Sequence, residues 1–371
     1  MAFRDELAAA VAEITAAAHD RLVSDRGGSV PAEVEREFRT DVSALFARWS
    51  PYGDGDAVLV QGLVDAVASL SRDHIEAARS DVGRVSAVVE QWHGSAAAAF
   101  RRSFIGSYES AVAGQLIALR DLGRILAAYR AVMAAAQQTL LAIGHATTAA
   151  LGGAAGGAAG AFEDTVSGSA SDPLSGAALL FDPVASTGLP TPGRVDGDTL
   201  HDVLASMDRA VTRLDEHVDA EEDLIRAVLD TAQARLDANL PYLLPADSGV
   251  GDDLDEFESR PGSHVVVEIA ALYHAGNVDL TNAAGHYEQT WRGLDLGAVT
   301  EPAAFGPWFT RTLFDYRTLR QTFSSQVLLA TRDELMRHGD DLCGAALLYA
   351  EADGIDARQI LQVMDTPGSP W

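Results

Sequence analysis

The sequence has no lysine, so all 27 of its basic residues are arginine, against 54 acidic residues. The formal net charge is −27. Phosphate groups and anionic lipid headgroups repel a chain of this charge, so we expect no nucleic-acid partner. Arginine without lysine, together with abundant alanine, is typical of a GC-rich genome such as that of an actinobacterium.

Cysteine and aromatic residues are also scarce. Cys343 is the only cysteine, so it cannot form an intrachain disulfide, and its apolar neighbours indicate a small buried side chain. Aromatic residues make up 7% of the chain, whereas 47% is hydrophobic and much of that is alanine. This composition favours helices that approach closely over β-sandwich cores. The sequence therefore predicts an all-α fold, and its 371 residues suggest two units.

Familiar catalytic patterns are missing as well, and we expect no secretory leader. The sequence contains no H-E-x-x-H, G-x-x-x-x-G-K-[ST], C-x-x-C or G-x-S-x-G pattern, and its ten histidines are scattered. We therefore expect no enzymatic activity, no metal and no cofactor. The chain begins with Arg4, Asp5 and Glu6 where a signal peptide needs a basic segment followed by an uninterrupted apolar one.

Helical periodicity begins at the N-terminus. A helix is predicted over residues 2–24, Gly27-Gly28 breaks it, and a second helix runs to about Trp49. Tyr52–Asp56 predicts a turn whose acidic pair lacks the remaining ligands of a calcium loop. Residues 1–150 are the predicted first domain, which consists of these helices and a long helical hairpin.

Two apolar stripes define this hairpin, one on each side of a break at Trp92-His93-Gly94. Most stripe positions recur at steps of four and three residues, which lays one apolar face along each helix. Gly94 permits a tight change of direction, and the Trp92 ring can fill the space where two helix ends diverge. The upstream stripe is Leu63, Val67, Leu70, His74, Ala78, Val82, Val85, Val89 and Trp92, and the downstream stripe begins with Phe100, Phe104, Tyr108 and Ala111.

This corner resembles the WXG100 superfamily, the small helical hairpins exported by type VII (ESX) secretion systems. Trp92, Gly94, Ala96 and Phe100 match the W-x-G-x-A-x-x-x-F pattern, and the resemblance covers roughly residues 56–150. It implies that Ala96 and Phe100 pack inside the hairpin and that Trp92 and Gly94 belong to an export signal. The alternative interpretation is an unrelated bundle with an aromatic residue packed at its corner.

Residues 144–162 are rich in glycine and alanine, with Gly152, Gly156 and Gly160 spaced every four residues. One interpretation is a small-xxx-small helix that packs in or on a membrane. The other is a flexible linker, which we favour because alanine supplies little transfer energy for a membrane span. Residues 151–197 are therefore the predicted linker.

The second half of the chain also reads as helical. Residues 198–245 predict one long connecting helix ended by Pro241, followed by an acidic solvated stretch at 252–256. A second hairpin is predicted over 262–360, with its break at Gly293–Thr300 and Pro302 in the first turn of the next helix. Trp291-Arg292-Gly293 repeats the W-x-G spelling, but the positions of alanine and phenylalanine are not matched, so we interpret it as a degenerate echo.

The end of this hairpin resembles EspC-like secreted proteins, relatives of the WXG100 proteins. Tyr349 and Asp353 match the Y-x-x-x-[DE] export signal of this system. Residues four apart share one helix face, so the ring and the carboxylate would form one recognisable edge. Tyr52 and Asp56 give a second match, but in a predicted turn, where that argument fails.

The two resemblances together imply a fold of two long antiparallel helical hairpins packed as a bundle, with N-terminal helices and a connecting helix. Trp92 and Gly94 would then lie beside Tyr349 and Asp353. The expected function is a non-enzymatic type VII secretion substrate, made in the cytoplasm and exported to the surface or medium without a signal peptide. Its expected partners are the secretion ATPase and a WXG100-like protein or toxin. One alternative is a delivery adaptor for a toxin, which the end at Trp371 disfavours unless the chain is truncated or the toxin is a separate chain. The other is a cytoplasmic chaperone or scaffold.

Overall fold

A computed structural model of the chain describes residues 3–92, 95–153, 195–246, 265–352 and 354–364. Within these ranges every regular element is a helix and no strand is present, so the predicted all-α fold is confirmed. None of these helices is both long enough and apolar enough to cross a membrane. Four predicted features lie outside the described residues: positions 154–194 of the linker, the acidic stretch at 252–256, Gly94 and Asp353.

The helices follow the predicted periodicity over most of the chain. They are α1 (Phe3–Asp25), α2 (Ala32–Ala47), α3 (Ser50–Gly53), α4 (Ala57–Leu70), α5 (Glu76–Gln91), α6 (Ser95–Phe100), α7 (Gly106–Leu151), α8 (Leu200–Asn239), α9 (Val265–His274), α10 (Thr281–Phe305), α11 (Leu313–Phe323), α12 (Leu329–Ala352) and α13 (Ala357–Met364). Gly27 and Gly28, which separate the first two helices, adopt positive φ angles of 72° and 99°.

Short π-helical turns connect several of these helices without interrupting the helical path. They span Ser71–Ile75, Arg101–Ile105, Ala275–Leu280 and Ser324–Leu328. A π turn accommodates one extra residue, so the apolar face stays in line only if the sequence takes a longer step there. The consecutive four-residue steps from Leu70 through His74 to Ala78 coincide with the first of these turns.

The turn of the second hairpin is not at Gly293–Thr300, and that prediction was wrong. Helix α10 continues through this stretch to Phe305, and the chain turns at 306–312. An isolated glycine costs a helix about 1 kcal/mol, whereas burying one large apolar side chain contributes about 2 kcal/mol. Leu294 and Phe305 are both buried, so the helix persists. Pro302 stands in the last turn of α10 rather than in the first turn of the next helix.

The predicted turn at Tyr52–Asp56 also needs a correction. Tyr52 belongs to the short helix α3, and only the residues after Gly53 form the bend. Asp56 then begins α4 as its N-cap, because its Oδ1 accepts hydrogen bonds from the N–H groups of Val58 (2.9 Å) and Leu59 (3.2 Å).

The chain divides into two compact units, each assembled from three separate segments. The first unit comprises Met1–Asp65, Gly123–Asp230 and Ala298–Tyr316. The second comprises Ala66–Leu122, Thr231–Gly297 and Arg317–Trp371. The predicted hairpin at 57–148 therefore contributes to both units, and so does the predicted connecting helix.

The first unit is a helical bundle around buried aromatic rings. Trp49, Tyr129 and Phe305 are fully buried, and Tyr129 lies 5.4 Å edge-on from Phe305. The turn at 306–312 is held from within this unit by the buried carboxylate of Glu222. Its Oε1 accepts hydrogen bonds from the backbone N–H groups of Arg311 and Thr312, each at 3.1 Å.

The second unit is a bundle in which two glycines allow helices to touch. A Cβ added to Gly276 would lie 2.5 Å from the carbonyl oxygen of Gly339, and the reverse distance would be 2.8 Å. Gly293, the first residue of the wrongly predicted turn, makes room for a side chain, since a Cβ there would lie 2.4 Å from Cδ2 of Leu70. Small residues let the backbones approach and the surrounding side chains fill the core. Among the described residues of this unit, the fully buried rings of phenylalanine and tyrosine are those of Phe100, Phe104, Tyr108, Tyr287 and Phe323.

Candidate protein-recognition site

The corner of the first hairpin lies within the second unit, and Trp92 is the residue at which α5 ends. Its backbone is extended (φ −79°, ψ 134°), and its N–H donates to the carbonyl oxygen of Val89 at 3.2 Å. Val85 and Val89 are fully buried, so the apolar stripe fixes the last two turns of α5. The extended backbone then turns the half-buried Trp92 side chain away from the helix path.

Tyr349 meets this side chain from the C-terminal part of α12. The indole Nε1–H of Trp92 donates to the hydroxyl oxygen of Tyr349 at 3.0 Å. The two rings are 6.1 Å apart between centroids and inclined at 83°, an edge-to-face contact. Such a hydrogen bond contributes about 1 kcal/mol and such a ring pair about 0.5–1.5 kcal/mol. Burial raises the pKa of the Tyr349 phenol, so at neutral pH the hydroxyl keeps its proton.

The two hairpin-packing residues of the predicted motif lie beside this contact. Ala96 is buried near the start of α6, and Phe100 is fully buried at its end. The ring of Phe100 lies 6.4 Å from that of Trp92 and 5.0 Å from that of Phe104. The alanine leaves room for the corner, and the phenylalanine rings form its apolar floor.

His338 completes this floor from α12. Its side chain is fully buried, with ring centroids 4.3 Å from Phe104 and 5.9 Å from Phe100. Burial lowers the pKa of the imidazole. The carboxylates of Glu334 (3.8 Å from Nε2) and Asp341 (3.6 Å from Nδ1) act in the opposite direction. We therefore expect a neutral ring beneath the corner at pH 7.

Arg101 is a member of this site that the sequence analysis did not identify. Its Nη1 donates to three carbonyl oxygens at the end of α5: Val89 (3.0 Å), Glu90 (3.3 Å) and Trp92 (3.1 Å). The last carbonyls of a helix lack partners within the helix and carry partial negative charge, so a guanidinium satisfies them well. The only signal in the sequence was a basic residue one turn into the helix after a predicted corner.

The structure thus brings Trp92, Ala96, Phe100 and Tyr349 together. The sequence analysis expected that Trp92 would lie beside Tyr349. Gly94 and Asp353 lie outside the described residues, and their place in the site stays a prediction. Tyr349 follows three turns after His338 on the same helix, so the corner contacts α12 over a continuous length.

The other Y-x-x-x-D match, at Tyr52 and Asp56, has a different environment in the first unit. The hydroxyl of Tyr52 donates to the carboxylate of Asp215, and its buried ring lies 5.1 Å edge-on from that of Trp308. The indole Nε1–H of Trp308 donates to the carbonyl oxygen of Pro51 at 3.0 Å. Packing therefore accounts for this tyrosine, and it provides a matched control for Tyr349.

Comparison of the chain with protein-family models, with curated proteins and with solved structures found no match in any of the three. The chemistry of the site must therefore be inferred from its own residues. They supply one neutral hydrogen bond, a cluster of aromatic rings and a capped helix end, which is a composition suited to recognition by another protein.

Proposed function

We propose that this chain is a helical protein exported by a type VII (ESX) secretion system, and that the contact between Trp92 and Tyr349 is the core of its export signal. The observation that carries the proposal is their hydrogen bond. Trp92 occupies the position of tryptophan in the W-x-G corner, and Tyr349 occupies the position of tyrosine in Y-x-x-x-D.

The separation of the two residues gives the signal a dependence on folding. They are 257 positions apart, so an unfolded chain does not hold them together. In the family that the sequence resembles, the two parts belong to paired hairpins. Joining them in one chain makes their association intramolecular and independent of a partner's concentration. Machinery that reads the pair would therefore select the folded protein.

The surface available to the machinery lies around the pair. Tyr349 is only 9% exposed, whereas its neighbours Leu347 and Leu348 are 43% and 48% exposed. Glu351, one turn after Leu347, is also exposed. We infer that the tyrosine orients the corner, while these side chains and the half-buried Trp92 ring contact the secretion ATPase or an escorting partner. The protein itself acts by binding, without catalysis.

The proposal is tested by locating the protein in cells with and without a working type VII ATPase. We expect the wild-type chain in the culture medium or at the cell surface only when the ATPase works. We expect Trp92→Ala and Tyr349→Ala to remain in the cytoplasm while folding normally. Tyr52→Phe, a change at the other Y-x-x-x-D match, should be exported like the wild type.

Export of both alanine variants at the wild-type level would contradict the signal. Retention of the wild-type chain in the cytoplasm of both strains would contradict export altogether and would favour the chaperone or scaffold. Export that requires a toxin encoded elsewhere would favour the delivery adaptor.

A further inference from the structure

We propose that Arg101 is the positioning residue that presents Trp92 to Tyr349. Its Nη1 atom donates to three carbonyl oxygens at this corner. Two of these oxygens belong to the last turn of α5, and the third belongs to Trp92 itself, beyond the helix end. The guanidinium of Arg101 therefore links the last turn of α5 to Trp92, the first residue after this helix.

The position of the third oxygen explains how this contact controls the indole. The extended backbone of Trp92 (ψ 134°) directs its carbonyl group toward Arg101. Rotation of Trp92 into another backbone conformation would move that carbonyl away from Nη1. Rotation about the N–Cα bond (φ −79°) would also move the indole away from Tyr349, because the side chain and the carbonyl group both follow that bond, so the two contacts favour the same φ angle. Charge strengthens the first of them, because hydrogen bonds from an ionised donor are stronger than neutral ones.

The next residue supplies a comparison. Arg102 carries the same side chain but is exposed, whereas Arg101 is half-buried against the end of α5. Phe100, on the other side of Arg101, is fully buried and anchors the start of the π turn Arg101–Ile105. Arg101, and not Arg102, therefore packs against the end of α5. The consequence for export rests on the proposed function, but the positioning itself does not.

The experiment records the indole N–H resonances of the five tryptophans in a ¹⁵N-labelled full-length chain. Trp92→Phe identifies the resonance of Trp92, and Tyr349→Phe gives its position when the acceptor hydroxyl is lost. In Arg101→Met we expect the Trp92 resonance to move toward the Tyr349→Phe position while the other four stay in place. We also expect the Trp92 backbone N–H to exchange about tenfold faster, the change expected for a local loss of about 1.4 kcal/mol. Arg102→Met should leave both readouts at their wild-type values.

A Trp92 resonance that stays in its wild-type position in Arg101→Met would overturn the proposal, and so would an equal shift in Arg102→Met. If Arg101→Met does not fold, Arg101→Gln is the replacement, with the same expectations. Export of the same variants separates this proposal from the previous one. Loss of the Trp92 signature with unchanged export would support the positioning role and contradict the export signal, whereas loss of both would support the two together.

Discussion

The hydroxyl of Tyr349 accepts its hydrogen bond from the indole of Trp92 at 3.0 Å, and the two rings meet edge-to-face. Each ring lies near the end of its own helix, α5 or α12, where backbone groups lose their regular partners. The pair therefore joins two helix ends that local interactions alone would leave free to fray. A contact of this kind links the two helix ends, and it forms only when the chain is folded.

The first prediction concerns the strength of this link. Trp92→Phe and Tyr349→Phe each remove one side of the hydrogen bond, so their effects on the free energy of unfolding should not add. We expect a coupling energy of about 1 kcal/mol from a double-mutant cycle measured by urea denaturation. Additive effects, within about 0.3 kcal/mol, would show that the hydrogen bond does not stabilise the fold.

The second prediction concerns the glycine crossing in the second unit. Gly339→Ala would place a Cβ 2.8 Å from the carbonyl oxygen of Gly276, and the two helices would have to separate. We expect a loss of about 1–3 kcal/mol in the free energy of unfolding. Gly344→Ala on the same helix is the control, because nothing lies within 4 Å of its Cβ position. That change should stabilise α12 by about 0.5–1 kcal/mol, and equal effects of the two substitutions would argue against the crossing.

The third prediction concerns the turn at 306–312 in the first unit. Glu222→Ala removes the acceptor of the buried N–H groups of Arg311 and Thr312. We expect a loss of about 2–4 kcal/mol, because two backbone donors lose their acceptor, whereas the exposed Arg311 side chain keeps the carboxylate of Asp219 at 2.9 Å. Asp223→Ala is the control: this carboxylate is exposed and lies 3.7 Å from Arg311. Thermal unfolding should show at most about 1 kcal/mol for the control, and a similarly small effect at Glu222 would contradict the account of the turn.

The fourth prediction concerns acid. Because burial lowers the pKa of His338 in the folded chain, the unfolded chain binds a proton there more readily. The stability that this histidine contributes is complete above the unfolded pKa of about 6.5 and is lost as the pH falls below it. His338→Gln should therefore flatten the decline in unfolding free energy between about pH 6.5 and pH 5. An unchanged slope in His338→Gln would contradict the assignment.

The sequence predicted well what depends on helical periodicity. The apolar stripes located the corner at Trp92. They did not predict the π turns, although consecutive four-residue steps from Phe100 through Phe104 to Tyr108 accompany the turn Arg101–Ile105. The contact of Trp92 with Tyr349 followed from pairing the two hairpins head to foot. The location of the corner depends on spacing along the chain, which a sequence displays directly, whereas the expectation that Trp92 meets Tyr349 came from the resemblance.

The features that the sequence did not predict depend on contacts between distant residues. Gly293 looked like a turn residue but is a point of close approach to Leu70. The true turn contains Phe309 at φ 58°, a conformation that local propensity disfavours. The buried carboxylate of Glu222 helps to hold this turn by accepting a hydrogen bond from the backbone N–H group of Arg311, two residues later. Arg101 was missed for the same reason, since three carbonyl oxygens converge on it only after folding.

The fifth prediction tests the proposed export signal by removing a single oxygen atom. Tyr349→Phe and Tyr52→Phe are the same substitution at the two Y-x-x-x-D matches of one chain, and the measurement is the fraction of each variant found in the culture medium of a strain with a working type VII system. Tyr52→Phe removes a hydrogen bond to Asp215 in the first unit, and Tyr349→Phe removes the one from Trp92 in the second. The account predicts a marked loss of export for Tyr349→Phe and wild-type export for Tyr52→Phe. Equal export of both variants, with both folded, would contradict it.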